Sequence, residues 1–233
     1  MILLGSLVNG LAIILGSLAG FVLRNISEQT KDSVTKGIGL GVIVLGIQMA
    51  FKTTSFTIIL ISLCSGAIIG EYLKIEDRMK QFGLFLENNY SKSDSNFAEG
   101  FVTASLIFVI GSMGIIGAIE SGVSLQHQTL YTKSVMDGFM AIMLTASLGT
   151  GVLFSAFPVF IYQGMITLFA SVIIRYIPQE LLDVMMIEIS SIGGLMILAI
   201  GLNITELAKI RVSNFLPGLL ILIMIIAFKF YYF

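Results

Sequence analysis

The chain has 233 residues, of which 56% are apolar and 12% charged, and its formal net charge is −1; mean hydropathy is +0.98. Those values exclude a soluble globular domain, and a near-neutral chain lacks the basic surface that nucleic-acid binding requires. The composition describes an integral membrane protein whose first partner is the lipid bilayer.

Uncharged apolar runs occupy residues 2–23, 37–51, 55–70, 101–119, 138–156, 158–174, 189–205 and 214–228. Several fall short of the roughly 20 residues that an upright helix needs to cross a bilayer core. The expected fold is all-α: a polytopic bundle of about eight transmembrane helices, or seven if Phe157-Pro158 marks a re-entrant turn. Between the third and fourth runs, Ile75, Met79, Phe82 and Leu86 recur at helical spacing among Lys74, Glu76, Asp77, Arg78 and Lys80. This pattern predicts an amphipathic helix over 72–89 at the cytoplasmic interface. Polar, serine-rich sequence from Asn88 to Asn96 follows as a flexible hinge.

The chain matches itself in opposite membrane orientations. Asn9-Gly10 in the first run corresponds to Gln163-Gly164 in the sixth, and Gly46-Ile47-Gln48 in the second to Gly201-Leu202-Asn203 in the seventh. Arg24-Asn25-Ile26 with Asp32 corresponds in the same way to Arg175-Tyr176-Ile177 with Asp183. A second match relates the fourth and fifth runs: Glu99-Gly100-Phe101 leads to Gly111 at the interval at which Asp137-Gly138-Phe139 leads to Gly149. Within one transmembrane domain over 1–233, the organisation read from this is a first repeat core at 1–71, the cytoplasmic helix and loop at 72–97, paired central spans at 98–156 and a second repeat core at 157–233. Inverted repeats of this kind are characteristic of secondary transporters.

Small-xxx-small pairs at Gly16/Gly20, Gly37/Gly41 and Gly66/Gly70 are expected to pack helices closely. The clusters Gly111-Ser112-Met113-Gly114 and Gly149-Thr150-Gly151 are denser, and either interrupt spans four and five or let them cross closely. A helix broken at depth exposes backbone groups with which transporters hold ions and solutes. Glu71, Glu99, Glu120, Asp137 and Glu188 fall near run ends, leaving only neutral groups deeper. Glu99 and Asp137 are expected at equivalent depth on opposite faces, as gates. A midplane site is expected from Asn9, Gln163, Ser112, Gly111, Gly114, Gly149, Thr150 and Gly151, with Gln48 and Asn203 farther out. Such groups suit a small cation or small polar solute rather than a bare anion.

Catalytic sets are missing, so no enzyme and no cofactor are expected. His127 is the only histidine and Cys64 the only cysteine, which rules out a zinc cluster or disulfide within the chain and leaves any other metal undefined. Basic residues favour one side nine to four: Arg24, Lys31, Lys36, Lys74, Arg78, Lys80, Lys92, Lys209 and Arg211 against Lys52, Lys133, Arg175 and Lys229. The positive-inside rule then puts both termini outside. A homo-oligomer is compatible with this reading. So is a rival one, a non-transporting scaffold or sensor whose amphipathic helix docks a cytoplasmic partner.

Several segments carry a resemblance across nearly the whole chain. Leu7-Val-Asn-Gly-Leu-Ala12, Gly66-Ala-Ile-Ile-Gly-Glu71, Ala98-Glu-Gly-Phe-Val-Thr-Ala-Ser-Leu106, Gly111-Ser-Met-Gly-Ile-Ile-Gly117, Leu130-Tyr-Thr-Lys-Ser134, Asp137-Gly138, Tyr162-Gln-Gly164, Gly193-Gly194 and Ile200-Gly-Leu-Asn203 are the residues concerned. The chain resembles the bacterial membrane family filed as domain of unknown function 554. The resemblance implies a bacterial inner-membrane protein, and the family's usual genome label is possible sodium channel or pump. Ser112 stands where alanine is expected in many relatives, so a role for its hydroxyl carries less weight than one for Asn9 or Gln163.

Overall fold

The computed structural model describes residues 1–22, 28–90 and 96–232. Arg24-Asn25-Ile26 and the centre of the expected hinge lie outside the described residues. All regular structure among the described residues is helical: α1 (Leu4–Val22), α2 (Glu28–Ala50), α3 (Phe56–Tyr72), α4 (Ile75–Tyr90), α5 (Phe97–Val109), α6 (Ser112–Ser124), α7 (Gln128–Leu148), α8 (Gly151–Phe154), α9 (Ala156–Tyr176), α10 (Gln179–Ile204) and, after a 3-10 turn at Val212–Phe215, α11 (Leu216–Tyr232). Among the described residues, five helical stretches are long and apolar enough to cross a membrane: Leu4–Val22, Asp32–Ala50, Gly151–Tyr176, Gln179–Ile204 and Val212–Tyr232. The bent pairs α3 with α4 (58°) and α5 with α6 (62°) raise the count to seven.

The difference from the eight expected runs lies in α7. Its 21 residues include Lys133 and Asp137, which lower its apolarity. Yet α7 runs beside α1 in the same direction. A Cβ at Gly5 would meet Leu130, one at Gly16 would lie 2.1 Å from the Gly138 carbonyl oxygen, and one at Gly20 would lie 2.5 Å from that of Ile142. Helices this close pack through backbone contact, which bulkier residues would prevent.

The expected division at Phe157-Pro158 is displaced. The chain turns at Gly149-Thr150 instead, and Pro158 sits in the first turn of α9, where its missing N–H costs nothing. Span four is broken. Ile110 is extended (ψ 124°) and Gly111 takes φ 136°, so α5 stops and α6 starts afresh. Gly100, near the start of α5, meets Leu148 at the end of α7, whereas Gly117 on α6 meets Leu130 near its start. The broken pair therefore runs the length of α7 in the opposite direction, as a crossing rather than a re-entrant loop.

The described chain falls into two compact units. Met1–Ile38 with Lys80–Ile173 forms the first, and Gly39–Met79 with Ile174–Phe233 the second. Each unit combines matching elements of the two sequence repeats: α1 and most of α9 in the first, α3, α10, α11 and the later part of α2 in the second. The second unit carries a symmetry signature. A Cβ at Gly46 would lie 2.7 Å from the Gly194 carbonyl oxygen, and one at Gly194 would lie 2.7 Å from that of Gly46. Gly39 and Gly201 approach each other likewise. Gly39 matches Gly194, and Gly46 matches Gly201, in the sequence repeat. Each therefore touches its counterpart's partner, as a pseudo-twofold axis demands. Gly66 packs on Gly218 of the antiparallel α11, and Gly70 on Asn214 in the 3-10 turn ahead of it. Gly37 and Gly41 do not act as packing residues, because a Cβ at either meets nothing within 4 Å among described atoms.

Polar side chains tie helix ends within the second unit. Glu188 of α10 is buried (3% exposed) and accepts from the Thr53 hydroxyl, the Thr54 hydroxyl at 2.8 Å and the Thr54 amide at 3.0 Å, just ahead of α3. In the 3-10 turn ahead of α11, Asn214 donates to Glu71 at 2.6 Å and accepts from the Glu76 amide at 2.8 Å.

Candidate functional site

The first unit carries a buried polar cluster on three helices. On α1, the glycine stripe brings one face against α7 and carries Asn9 with it. Asn9 Nδ2 donates to Asp137 Oδ2 at 3.0 Å. On α7, one helical turn separates Lys133 from Asp137, so the ammonium reaches both carboxylate oxygens, at 2.9 Å and 2.8 Å. Both residues are 7% exposed and Asn9 is fully buried. Charge at that depth is tolerated because it is paired and hydrogen-bonded. This overturns the expectation of a neutral interior. Asp137 lies well inside α7, and Lys133, read from sequence as lying outside the membrane, is its partner.

The third contributor is α9, antiparallel to α1: Gly10 approaches Ala156 and Phe160, while Gly164 approaches Leu3. Gln163 is fully buried, and neither its Oε1 nor its Nε2 has a hydrogen-bond partner. Asn9 Oδ1 and the Thr167 hydroxyl are likewise unpartnered and buried. Gln163 Nε2 lies 3.6 Å, and Lys133 Cε 3.3 Å, from where a Cβ would stand at Gly114. Asn9, Asp137, Lys133, Gln163 and the first turn of α6 thus form one site.

The break at Gly111 puts the start of α6 there, and Gly111 offers no side-chain cap. Helix geometry leaves the N–H groups of Ser112, Met113 and Gly114 without intrahelical acceptors and concentrates positive potential at that end. Ser112 is part-buried in this turn and no bond from its hydroxyl defines the site.

Other expected residues stand apart. Gly149 (φ 86°) caps the end of α7, about 18 Å along the axis from Asp137 at 1.5 Å per residue. A Cβ at Gly151 would lie 1.9 Å from the Phe97 carbonyl oxygen, so this cluster is a close crossing with the start of α5, and Thr150 goes with it. Two breaks that match in sequence therefore do not share one depth. Glu99 is exposed in the first turn of α5 while Asp137 is buried, so they are not equivalent gates. Gln48 and Asn203 belong to the second unit. Gln48 is exposed, and Asn203 clamps Ile210 through 2.7 Å and 2.8 Å bonds.

Sequence reasoning missed Lys133. The signal was there, in a Lys and an Asp four apart within a stretch that starts at Leu130. Reading each charge singly hid it, because a span was begun only after the last charge. Near the same cluster, an open cavity of about 360 Å³ lies among Leu7, Leu11, Ile14, Phe154, Phe157 and Phe160. Its apolar lining suits acyl chains rather than a polar cargo. Among the described residues no group of His, Cys, Asp and Glu side chains is arranged to hold a metal.

The model of the family described as "Protein of unknown function (DUF554)" matches residues 4–227. The chain is 33% identical over 222 residues to "Uncharacterized membrane protein YdfK" of Bacillus subtilis (strain 168), covering 93% of each. It is 29% identical over 224 residues to "Uncharacterized protein YqgA" of Escherichia coli (strain K12), covering 94% of each. No solved structure matches the chain. With the family model spanning all but the ends and a relative matched over almost its full length, the protein belongs to the DUF554 family.

Proposed function

We propose that the protein carries a small polar solute or small cation across the bacterial cytoplasmic membrane, around a site formed by Asn9, Gln163, Lys133, Asp137 and the first turn of α6. The observation that carries the reading is Gln163. A fully buried amide with both polar atoms unpartnered costs on the order of 1–3 kcal/mol for each unsatisfied group. It stands beside a helix break and a buried ion pair. Amides that merely glue helices together bond across them, as Asn9 does through its Nδ2 and Gln163 does not.

Alternating access is the mechanism we infer, with the two repeats exchanging roles about their pseudo-twofold axis. The chemistry asked of the site is binding and release alone, and no bond in the cargo is broken. The excess of basic residues on one side supports an orientation with both termini outside.

The test is electrical. Purified protein in proteoliposomes on a solid-supported membrane is stepped through sodium, potassium, protons and a panel of small polar solutes. A saturable current is expected, abolished in both Asn9→Ala and Gln163→Ala while each variant stays monodisperse in detergent. Undiminished current in both variants removes these residues from the site.

A further inference from the structure

We propose that the first turn of α6, Gln163 and Lys133 bind the carboxylate of a small solute that also carries a hydroxyl or amino donor. The inference rests on the transport reading of the same residues and narrows its cargo.

Three kinds of donor converge on Gly114. The N–H groups of Ser112, Met113 and Gly114 lack helical acceptors, and the dipole of the 13-residue α6 presents about half a positive charge there. Gln163 contributes an Nε2 that is fully buried and unpartnered, 3.6 Å from the Cβ position of Gly114. Lys133, whose Cε is 3.3 Å from that position, has three N–H donors. Two are accounted for by the two oxygens of Asp137, which leaves a third. Gly114 itself supplies room, because it puts no side chain between the lysine and the amide.

The charge balance selects the ligand. Asp137 is neutralised by Lys133 and accepts a further bond from Asn9, so no carboxylate in the cluster is left uncompensated for a cation to use. The uncancelled field is that of the α6 N-terminus, and it is positive. A single negative charge matches it, whereas a phosphate dianion would exceed what one helix end can compensate. A halide would satisfy the donors and nothing else. The acceptors Asn9 Oδ1 and Gln163 Oε1 would stay bare, and only a ligand with a donor near its carboxylate reaches both sets. An α-hydroxy acid and an α-amino acid share this chemistry.

The test uses purified full-length protein, with binding read by isothermal calorimetry and thermal shift, and flux read separately in proteoliposomes. The probes are L-lactate, L-alanine, lactamide, alaninamide, sodium chloride and methylammonium. Saturable binding of L-lactate or L-alanine is expected, with each corresponding amide at least tenfold weaker. The acid that binds identifies the hydroxy or the amino class. Gln163→Met should weaken that binding tenfold or more. Gly114→Ala, whose methyl needs only a slight shift of the flexible Lys133 chain, should do the same with unchanged thermal stability in the absence of ligand. Gly37→Ala should bind as the unaltered protein does.

Amides that bind as well as their acids overturn the carboxylate assignment, as does binding of sodium, methylammonium or chloride alone. Flux of a cation or uncharged solute without acid binding removes this inference and leaves transport standing. Acid binding with no flux removes transport and leaves the site standing. Silence in both assays sinks both.

Discussion

Lys133 and Asp137 are joined at 2.8 Å inside α7, with side chains only 9% and 10% exposed. A pair this deep contributes little net stability while intact, but losing one partner leaves the other charged and dry.

Lys133→Ala and Asp137→Ala should therefore each destabilise the protein, by about 3–5 kcal/mol. The loss is read as a lower thermal midpoint and poor monodispersity in detergent. The double variant Lys133→Met with Asp137→Leu should recover most of that stability while transporting nothing. A double variant as unstable as the singles would show that the pair holds the fold through contacts other than charge.

Gly16→Leu should abolish folded protein, because even a Cβ there would stand 2.1 Å from the Gly138 carbonyl oxygen, a backbone atom that cannot move aside. Gly41→Ala should be neutral or slightly stabilising, by up to about 1 kcal/mol, since a helical glycine facing open space gains from a methyl. Comparing expression and thermal midpoints of the two variants checks the α1–α7 contact directly.

Glu188→Ala should cost about 1–3 kcal/mol by stranding the Thr53 and Thr54 donors ahead of α3. Glu188→Gln keeps an acceptor and should lose less. If Glu188→Gln fell as far as Glu188→Ala in thermal unfolding, the negative charge rather than the hydrogen bonds would be what α3 requires.

Orientation is tested with a cysteine in the 88–96 loop on a Cys64→Ser background. It should resist an impermeant thiol reagent in whole cells and react after permeabilisation. Labelling in intact cells would reverse the orientation and place both termini inside.

The sequence made some of this legible for a physical reason. Asn9 and Gln163 stood out because polar amides inside apolar runs are few, and both are fully buried in the first unit. A break at Gly111 was one of two roles open to its glycine cluster, because a glycine can adopt φ 136° without a steric penalty. Three things were hidden. Burial of Lys133 and Asp137 depends on their bonding to each other, which single-residue hydropathy cannot register. Gly149 resembles Gly111 in its neighbours, yet one caps a complete helix while the other interrupts a crossing, and only packing against α5 separates the two roles. Gly37 and Gly41 share the spacing of Gly16 and Gly20, but spacing does not say which face of a helix has a neighbour.

Asn9 and Asp137 are 128 residues apart in the chain. A ribosome adding roughly 5–20 residues per second needs on the order of 10 s to travel that distance. During that interval α1 is in the bilayer with an amide that has no Asp137 to receive it, and the glycine stripe beside it faces lipid instead of α7. A helix made before its partner is therefore finished late. Its early life therefore depends on what else in the membrane can shelter a polar side chain: a neighbouring lipid headgroup, the insertion machinery, or a chaperone that holds α1 until its partner arrives.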